Sequence, residues 1–357
     1  MLWAPADGTA REAGGWAPAG PGFSAVEWPA LRDRQTATAL VDGRVLIAGG
    51  LDSRSGERSA AAELFDPTTG ATTAIRMQLA HSDHAAVRLG DGRVLIVGGP
   101  EPAELFDPAT ATFETTDAPP FPSLGPGSGP PTTDATHALL LADGRVLVLG
   151  HARSGWVSGL HRRAAAIYEP VTEVFVAQPA LACEASAALV RMLDDRVLVP
   201  CGSGTNQAIV YHPRGSTTTI PGPGGWTNAA PLPSGQVLVT NDSGHAAIFD
   251  PQSMTFLPSQ SSPMAREGAM ARRLTDGRVL IVGGRSDLGD PLRDAELYDP
   301  SSGLFVNIGP MVHGRFGLAV EELADGRVLI VGGSHHSPDR TDPTASGAEI
   351  FDPALLP

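Results

Sequence analysis

A repeated phrase of this chain ends in two glycines, except in three neighbouring copies that end in reactive side chains. The regular copies, DGRVLIVGG or DGRVLIAGG, stand at 42–50, 91–99, 276–284 and 325–333. The altered copies, at 143–151, 194–202 and 234–242, end in Gly150-His151, Cys201-Gly202 and Asn241-Asp242. Imidazole, thiol and carboxylate groups can transfer protons or act as nucleophiles. We therefore predict a catalytic group of His151, Cys201, Asp242 and Glu184.

The thiol of Cys201 has three interpretations. With His151 of the adjacent repeat it would form a thiolate–imidazole nucleophile. It would otherwise be a small buried side chain in place of glycine, or one half of a disulfide with Cys183. The offset of the two cysteines in the expected hairpin register argues against the disulfide.

Histidines close to the altered copies are candidate metal ligands. Imidazole combined with carboxylate suits iron, zinc or copper. The predicted ligands are His137, His151, His335 and His336. The chain has no local HExxH or CxxC motif, so two alternatives stay open. These side chains would then be hydrogen-bonded around a wet cavity, and the pair His335-His336 would be part of an exposed loop.

Basic residues near the starts of several repeats predict an anion site. An arginine can hold a carboxylate or phosphate through two parallel hydrogen bonds. We predict that the substrate is bound by Arg266, Arg315, His81, Asn241 and Arg32. The alternative for the basic residues is a structural pairing with the glutamate of a second repeated phrase, AELFDP, at Glu63, Glu104, Glu296 or Glu349.

The spacing of the two phrases predicts the fold. One repeat, residues 81–117, contains a short half-apolar segment, an Asp91-Gly92 turn signal, a fully apolar strand at Val94–Val97 and two further short strands. Asp-Gly predicts a two-residue hairpin turn with both residues at positive φ. Seven such units describe an all-β, seven-bladed β-propeller of four-stranded antiparallel blades, with a solenoid as the alternative.

The ends of the chain predict ring closure within a single domain, residues 1–357. The seventh unit lacks a fourth strand, and residues 14–21 resemble the fourth strand of the sixth unit, 303–310. We therefore expect a strand at about residues 15–19 to complete blade 7, with Trp16 at the aromatic position. The first–second and third–fourth turns then share one face, the turn face. The second–third loops and the blade-to-blade links share the other, the loop face.

The paired glycines, the AELFDP phrase and the aromatic of the fourth strand resemble the bacterial form of the kelch-repeat family. The resemblance implies a propeller, and it covers nearly the whole chain. It does not imply one function, because kelch propellers include both enzymes and binding scaffolds. Some are copper-radical oxidases with two tyrosine ligands. The three tyrosines here, Tyr168, Tyr211 and Tyr298, all stand in the AELFDP phrase, so we expect that oxidase chemistry to be absent.

Composition narrows the function classes further. The net charge is −14, and all 25 basic residues are arginine. The acidic balance argues against nucleic-acid binding, and the lack of lysine excludes Schiff-base catalysis. No apolar run approaches the length of a membrane span, and no signal peptide is visible, so we expect a cytoplasmic protein.

The altered phrases all belong to consecutive units and should meet on one side of the central cavity. We therefore expect an enzyme that acts on a small molecule, with its active site in the central cavity on the loop face. An anion is its candidate substrate. Whether the enzyme also binds a metal stays open. The alternative is a protein-interaction scaffold that uses the same face.

Overall fold

Seven four-stranded antiparallel sheets form a β-propeller, as predicted. The computed structural model describes residues 19–26, 28, 32–52, 55–98, 102–120, 131–154, 161–183, 185, 188–202, 205–262, 264–334 and 347–356; only the backbone is described at 131–136, 151–154, 161, 162 and 334. No helix in this part of the chain is long and apolar enough to cross a membrane.

Each blade is a meander whose strands follow one another in sequence. Blade 1 contains Thr36–Ala39, Val45–Ala48, Ser59–Phe65 and Thr72–His81; blade 2 contains Ala85–Arg88, Val94–Val97, Glu104–Asp107 and Thr112–Thr115; blade 3 contains Pro131–Leu140, Val146–Ser154, His161–Glu169 and Val174–Gln178. Blade 4 contains Val190–Arg191, Val197–Pro200, Gln207–Tyr211 and Thr217–Pro221; blade 5 contains Trp226–Pro231, Val237–Asn241, Ala246–Asp250 and Thr255–Pro258. Blade 6 contains Met270–Arg273, Val279–Val282, Asp294–Asp299 and Leu304–Pro310; blade 7 contains Phe316–Glu322, Val328–Ser334, Ala348–Phe351 and Phe23–Val26. A short pair, Arg32–Asp33 with Leu51–Asp52, and a 3-10 turn, Pro353–Leu355, complete the set.

The Asp-Gly turn between the first two strands differs from the two-residue turn that we predicted. In blade 2, Leu89 N donates to Arg93 O at 2.8 Å, so three residues form the loop. Of the Asp-Gly pair, only Gly92 takes a positive φ, of 94°. The Asp91 carboxylate instead accepts the Arg93 N–H at 3.0 Å. The turn is therefore a three-residue loop with a left-handed glycine.

The hydrophobic core lies between blades rather than at the centre of the molecule. Seven clusters of buried residues each join one blade to the next, and the second strands, such as Val94–Val97 and Val279–Val282, are fully buried. This explains why the second strand is apolar on both faces. In the order blade 4, 5, 6, 7, 1, 2 and 3, the first strand of each blade contacts the first strand of the next. They form the innermost ring, around the central channel.

Blade 7 is closed by an N-terminal strand, but not by residues 15–19. Its fourth strand is Phe23–Val26, and Phe23 lies opposite Phe351 with ring centroids 4.7 Å apart. Phe23 therefore takes the position that we predicted for Trp16; residues 15–18 lie outside the described residues. The preceding glycine explains the position of the strand. Gly22 has a φ of 85°, and its carbonyl accepts the Asp352 N–H at 2.9 Å, which begins the pairing seven residues later than expected.

Candidate functional site

Four basic residues predicted to bind substrate are buried inside the blades. Each pairs with the third-strand glutamate of the blade that begins just after it: Arg32 with Glu63, His81 with Glu104 at 3.0 Å, Arg266 with Glu296 at 2.9 Å, and Arg315 with Glu349 at 2.6 Å. We call these four pairs the blade ties. The basic members are at most 3% exposed. The anion-site prediction is therefore wrong for these side chains, and the structural pairing is what the structure shows.

The basic member of each tie also holds the end of the second strand. It contacts the carbonyl of the first of the paired glycines: Gly49 at 2.6 Å from Arg32, Gly98 at 3.1 Å from His81, Gly283 at 3.5 Å from Arg266, and Gly332 at 2.9 Å from Arg315. The glutamate in turn accepts backbone N–H groups of the link between blades, as Glu349 does from Val312 at 2.7 Å and His313 at 2.9 Å. One tie thus joins the incoming link, the end of the second strand and the third strand.

The electrostatics differ from tie to tie. Burial raises the pKa of Glu63 and Glu296 above their usual range even beside an arginine. Burial acts in the same direction on Glu349, but the hydrogen bonds from His313 and the charge of Arg315 outweigh it and hold its pKa below the usual range. Of these three carboxylates, that of Glu349 is therefore the most strongly ionised.

Blades 3, 4 and 5 lack the ties. The position of the glutamate is taken by the buried side chains of Ala166, Ile209 and Ala247. These are the same three blades in which the paired glycines are altered. An altered glycine pair therefore accompanies the absence of the tie glutamate, although blade 3 keeps the first glycine as Gly150.

Blade 4 carries a covalent link in the same place. Cys183 and Cys201 form a disulfide, with Cα atoms 5.6 Å apart, and Ala185 lies opposite Cys201. Both cysteines are buried. The prediction of a catalytic thiol at Cys201 is therefore wrong for this state, and the argument from hairpin register against the disulfide was wrong too. The register places Cys183 two residues from the partner of Cys201, on the same side of the strand.

The paired glycines are required by the neighbouring blade. A Cβ on Gly283 would lie 2.6 Å from the Arg315 carbonyl oxygen, and the residue has a φ of 68°. Gly303, in a turn of the same blade, has a φ of 71°, but a Cβ added there would meet nothing within 4 Å. The two sites share the backbone conformation and differ in the space around it.

We expect Gly283→Ala to destabilise the protein more than Gly303→Ala. Left-handed backbone costs an alanine about 1–2 kcal/mol at either site. At Gly283 the clash with the next blade adds about 1–3 kcal/mol. The midpoints of urea unfolding of both variants measure the difference, and equal midpoints would show that the neighbouring blade can move away at no cost.

Asp242 and three side chains that we did not single out lie together on the loop face. Glu267 precedes the first strand of blade 6, Arg285 follows the second strand of that blade, and Phe316 begins the first strand of blade 7. We call these four residues the mouth cluster. The Arg285 Nε donates to Glu267 Oε2 at 2.9 Å, and its guanidinium lies 5.5 Å from the centre of the Phe316 ring. The cluster spans blades 5, 6 and 7 where the inner strands begin.

Asp242 is half-buried within this cluster. Its Oδ1 is buried, and the Thr227 hydroxyl and the Gly268 N–H lie beside the carboxyl. Burial raises the pKa of Asp242, although the Thr227 hydroxyl favours the charged form, and the negative charge of Glu267 raises it further. Hydrogen bonds from Arg285 lower the pKa of Glu267. Two neighbouring carboxyl groups therefore have pKa values displaced in opposite directions.

A second charged pair lies on the same face between blades 1 and 2. The Arg34 Nη1 contacts both Asp83 oxygens, at 3.2 and 3.3 Å. Both residues have left-handed backbone, with φ of 55° and 53°, where blades 6 and 7 place Gly268 and Gly317. Such conformations are uncommon for residues other than glycine and cluster at functional sites.

The remaining predicted residues do not form a site that the structure describes. Asn241 caps its own turn, with Oδ1 accepting the N–H groups of Ser243 at 3.1 Å and His245 at 3.0 Å. The backbone of His151 pairs with Asp134, but its side chain is not described. His137 is half-buried in the first strand of blade 3. Glu184, His335 and His336 lie outside the described residues.

The predicted metal ligands lie mostly outside the side chains that the structure describes. No group of three His, Cys, Asp or Glu side chains there could hold a metal ion. Of the four predicted ligands, only His137 has a described side chain. The metal therefore stays a prediction.

Comparison of the repeats at a different position would have found the mouth cluster. Glu267 and Phe316 each stand directly after the basic member of a blade tie, where blade 1 has Asp33 and blade 2 has Ser82. The residue after the tie thus varies while the tie itself repeats. We compared the ends of the second strands and the basic position at the start of each repeat, but not the residue after it, and so singled out Asp242 alone.

Comparison with known proteins agrees with the fold. Residues 274–312 match the Kelch motif. This match supports a kelch-repeat propeller; the bacterial form stays a prediction. No curated protein matches the sequence. A fungal alcohol oxidase of the AA5 family, solved in complex with copper, is similar in structure with a TM-score of 0.72 over 94% of this chain and 76% of that chain, at 17% identity.

At that identity the likeness to the oxidase shows the fold alone. The three tyrosines of this chain, Tyr168, Tyr211 and Tyr298, are at most 3% exposed and belong to the clusters between blades. They are core residues, as we expected from their place in the AELFDP phrase. The absence of copper–tyrosine oxidase chemistry stays a prediction.

Proposed function

We propose that the protein is an enzyme acting on a small molecule bound at the loop-face mouth of the central channel, with Asp242 transferring a proton. The observation that carries the proposal is the half-buried carboxyl of Asp242 beside the Glu267–Arg285 pair, where burial raises its pKa. Removing a carboxylate from water is costly, and titratable groups displaced in this way are typical of functional sites.

Environments that push the pKa values of two titratable groups apart are typical of acid–base sites. Asp242, with its pKa raised, exchanges its proton with the substrate. Glu267, held ionised by Arg285, keeps a fixed negative charge beside it. Phe316 and Arg285 form an adjoining wall.

The charge of the mouth cluster favours a neutral or cationic substrate. Arg285 is already paired with Glu267, and Asp242 adds a carboxyl group without a basic partner of its own. With the arginines of the blade ties buried, the cluster offers no free positive charge to an anion. The anionic ligand that the sequence favoured is therefore not part of the proposed function.

The test uses small-molecule extracts, because the substrate is unknown. The wild-type protein is incubated with a cell extract, and mass spectrometry follows which compounds are consumed. We expect at least one compound to be consumed by the wild type and at least about 100-fold more slowly by Asp242→Asn, because loss of a general acid or base removes about two to four orders of magnitude in rate. Consumption at equal rates, or by neither protein, would contradict the proposal.

The same substitution has an expected effect on stability. Because the folded-state pKa of Asp242 is raised, its ionisation destabilises the fold as the pH rises through that pKa. We expect Asp242→Asn to raise the unfolding temperature at neutral pH, by a gain equivalent to at most about 1 kcal/mol since the group is partly solvated. The gain should vanish below the ordinary carboxyl pKa of about 3.9, where aspartate is protonated in both states.

Asp325→Asn is a matched control, for which the expected change in stability at neutral pH has the opposite sign. Hydrogen bonds from Arg327 lower the pKa of Asp325 in the turn of blade 7. Asp325→Asn should therefore reduce stability at neutral pH. The two predictions are compared by measuring the unfolding temperatures of the wild type, Asp242→Asn and Asp325→Asn from acidic to neutral pH. A loss of stability in Asp242→Asn at neutral pH would show that Asp242 is structural.

The protein-interaction scaffold remains the second candidate. The Kelch motif and an exposed aliphatic side chain on the loop face favour it: Leu288, in the 285–294 loop of blade 6, is 89% exposed.

The disulfide also bears on the predicted cytoplasmic location. The Cys183–Cys201 disulfide weighs against it, because disulfides persist mainly in oxidising compartments.

A further inference from the structure

Arg278, on the turn face of blade 6, differs from the other turn arginines. In five blades the arginine of the DGR turn contacts the third–fourth turn of the next blade: Arg44 at 3.0 Å from Pro108 O, Arg93 at 2.6 Å from Glu173 Oε1, Arg145 at 3.5 Å from Pro213 O, Arg196 at 2.7 Å from Pro251 O, and Arg327 at 2.9 Å from Pro67 O. Arg278 bonds only to Asp276 of its own turn, with Nε 2.8 Å from Oδ2. It has no second acceptor in the described ranges.

The missing acceptor has a cause in the closure of the ring. The corresponding carbonyl of blade 7 is that of Pro353. There the chain forms a 3-10 turn, Pro353–Leu355, instead of continuing to a fourth strand, and the Pro353 carbonyl accepts the Leu356 N–H at 3.5 Å. The oxygen that would complete the ring of contacts is therefore used within the turn.

A cavity of about 440 Å³ lies where that contact is missing. Most of its lining is apolar and consists of the side chains of Leu297, Val306, Ile308 and Leu356. Arg278 also lines the cavity and provides a hydrogen-bond donor. Asn307 also lines it, with Oδ1 accepting the Gly309 N–H at 2.8 Å and no partner for Nδ2 among the described residues. The size falls within the range of small-molecule sites.

Charge limits the class of ligand. Two carboxylates, Asp276 and Asp299, accompany the single guanidinium. The Asp299 carboxylate accepts hydrogen bonds from the hydroxyls of Ser301 and Ser302, at 2.7 and 2.9 Å. A neutral oxygen would be accepted as the prolyl carbonyls are in four of the other blades, whereas a further anion would face both of these carboxylates.

We propose that this cavity binds a small uncharged molecule with an apolar body and a carbonyl or amide oxygen, which accepts a hydrogen bond from Arg278. The apolar body packs against Val306, Ile308 and Leu356. The site lies on the turn face, opposite the mouth cluster, and does not depend on the proposed enzyme activity.

The experiment uses N-acetyl-leucinamide as the probe and the full chain. Saturation-transfer NMR measures its Kd for the wild type, for Arg278→Gln and for Arg44→Gln. Glutamine already stands at this position in blade 5, as Gln236, so the turn should be preserved. We expect Arg278→Gln to weaken binding about 10- to 100-fold, since hydrogen bonds to charged groups contribute about 1.5–3 kcal/mol. Arg44→Gln should leave the Kd unchanged.

Two further arms identify the contacts. Val306→Trp, at a half-exposed lining position, should fill the cavity and abolish binding while the protein stays folded by circular dichroism. N-acetyl-leucine, which carries a carboxylate in place of the amide, should bind more weakly than the amide.

Several results would overturn the proposal. They are no binding of the amide at millimolar concentration, an unchanged Kd in Arg278→Gln, equal losses in both arginine variants, or tighter binding of the carboxylate. Binding that appears only after deletion of residues 1–18 would make the occupant the chain's own N-terminal segment. Dimerisation that Val306→Trp prevents would make it a second copy.

Discussion

Arg315→Met is expected to destabilise the propeller by about 3–5 kcal/mol, because it leaves the carboxylate of Glu349 buried without its charged partner. Both side chains are completely buried, and Arg315 also holds the carbonyls of Gly332 at 2.9 Å and Gly347 at 2.6 Å. The pair lies in the blade that closes the ring. The midpoint of urea unfolding, followed by tryptophan fluorescence, measures the loss.

The double variant Arg315→Met/Glu349→Leu tests the cause. Blades 3, 4 and 5 fold with Ala166, Ile209 and Ala247 at the position of the glutamate, so an apolar replacement of the whole pair has precedent within the chain. Replacing both members of a buried pair by apolar residues of similar volume is often nearly neutral. We expect the double variant to recover most of the stability that the single variant loses.

An exposed pair provides the control. Arg285 and Glu267 are 39% and 53% exposed, and loss of such a pair costs at most about 1 kcal/mol. Arg285→Met should therefore move the unfolding midpoint much less than Arg315→Met. A double variant as unstable as Arg315→Met would mean that the tie acts through its backbone contacts and not through charge.

Reduction of the Cys183–Cys201 disulfide is expected to cost about 3 kcal/mol, from the unfolded-chain entropy that a loop of this length removes. The two cysteines are 18 residues apart in sequence. The unfolding midpoint of the wild type should fall in dithiothreitol. That of Cys183→Ala/Cys201→Gly, which restores the glycine of the regular repeats, should not depend on the reductant.

Thiol labelling in denaturant distinguishes the disulfide from a catalytic thiol. We expect no free thiol without reductant and two after reduction, since the chain has two cysteines. A free Cys201 in the active protein, together with loss of activity in Cys201→Gly alone, would support the nucleophile instead.

Local patterns predicted the elements of the fold well. The alternation of the DGR turn, the apolar strand and the AELFDP phrase repeats seven times, and each copy contains its own hydrogen-bonding and hydrophobic signal. The same patterns failed where the role of a residue depends on a contact with a different strand or blade. The strand at 15–19 was misplaced because its aromatic residue and glycines resemble a fourth strand, whereas the carbonyl of Gly22 begins the pairing beside Asp352.

The proposed site was predicted from the sequence only in small part. Asp242 was found because it breaks the repeat, and it belongs to the mouth cluster. Arg266 and Arg315 were assigned to substrate because an arginine at a strand start has the same sequence signal whether it binds an anion or a glutamate. Their partners, Glu296 and Glu349, are 30 and 34 residues away along the chain. No local pattern shows which contact forms.

The sequence alone determined the number of blades, the order of their strands and the apolar second strand, because these depend on short-range turn chemistry and on periodicity repeated in every unit. Only the tertiary structure decided the roles of the polar residues. It placed Arg315 against Glu349, joined Cys183 to Cys201, brought Asp242 beside Glu267, and left Arg278 without the contact that its counterparts make. Those outcomes depend on burial and on distances between separate strands and blades, which the spacing of residues along one chain does not specify.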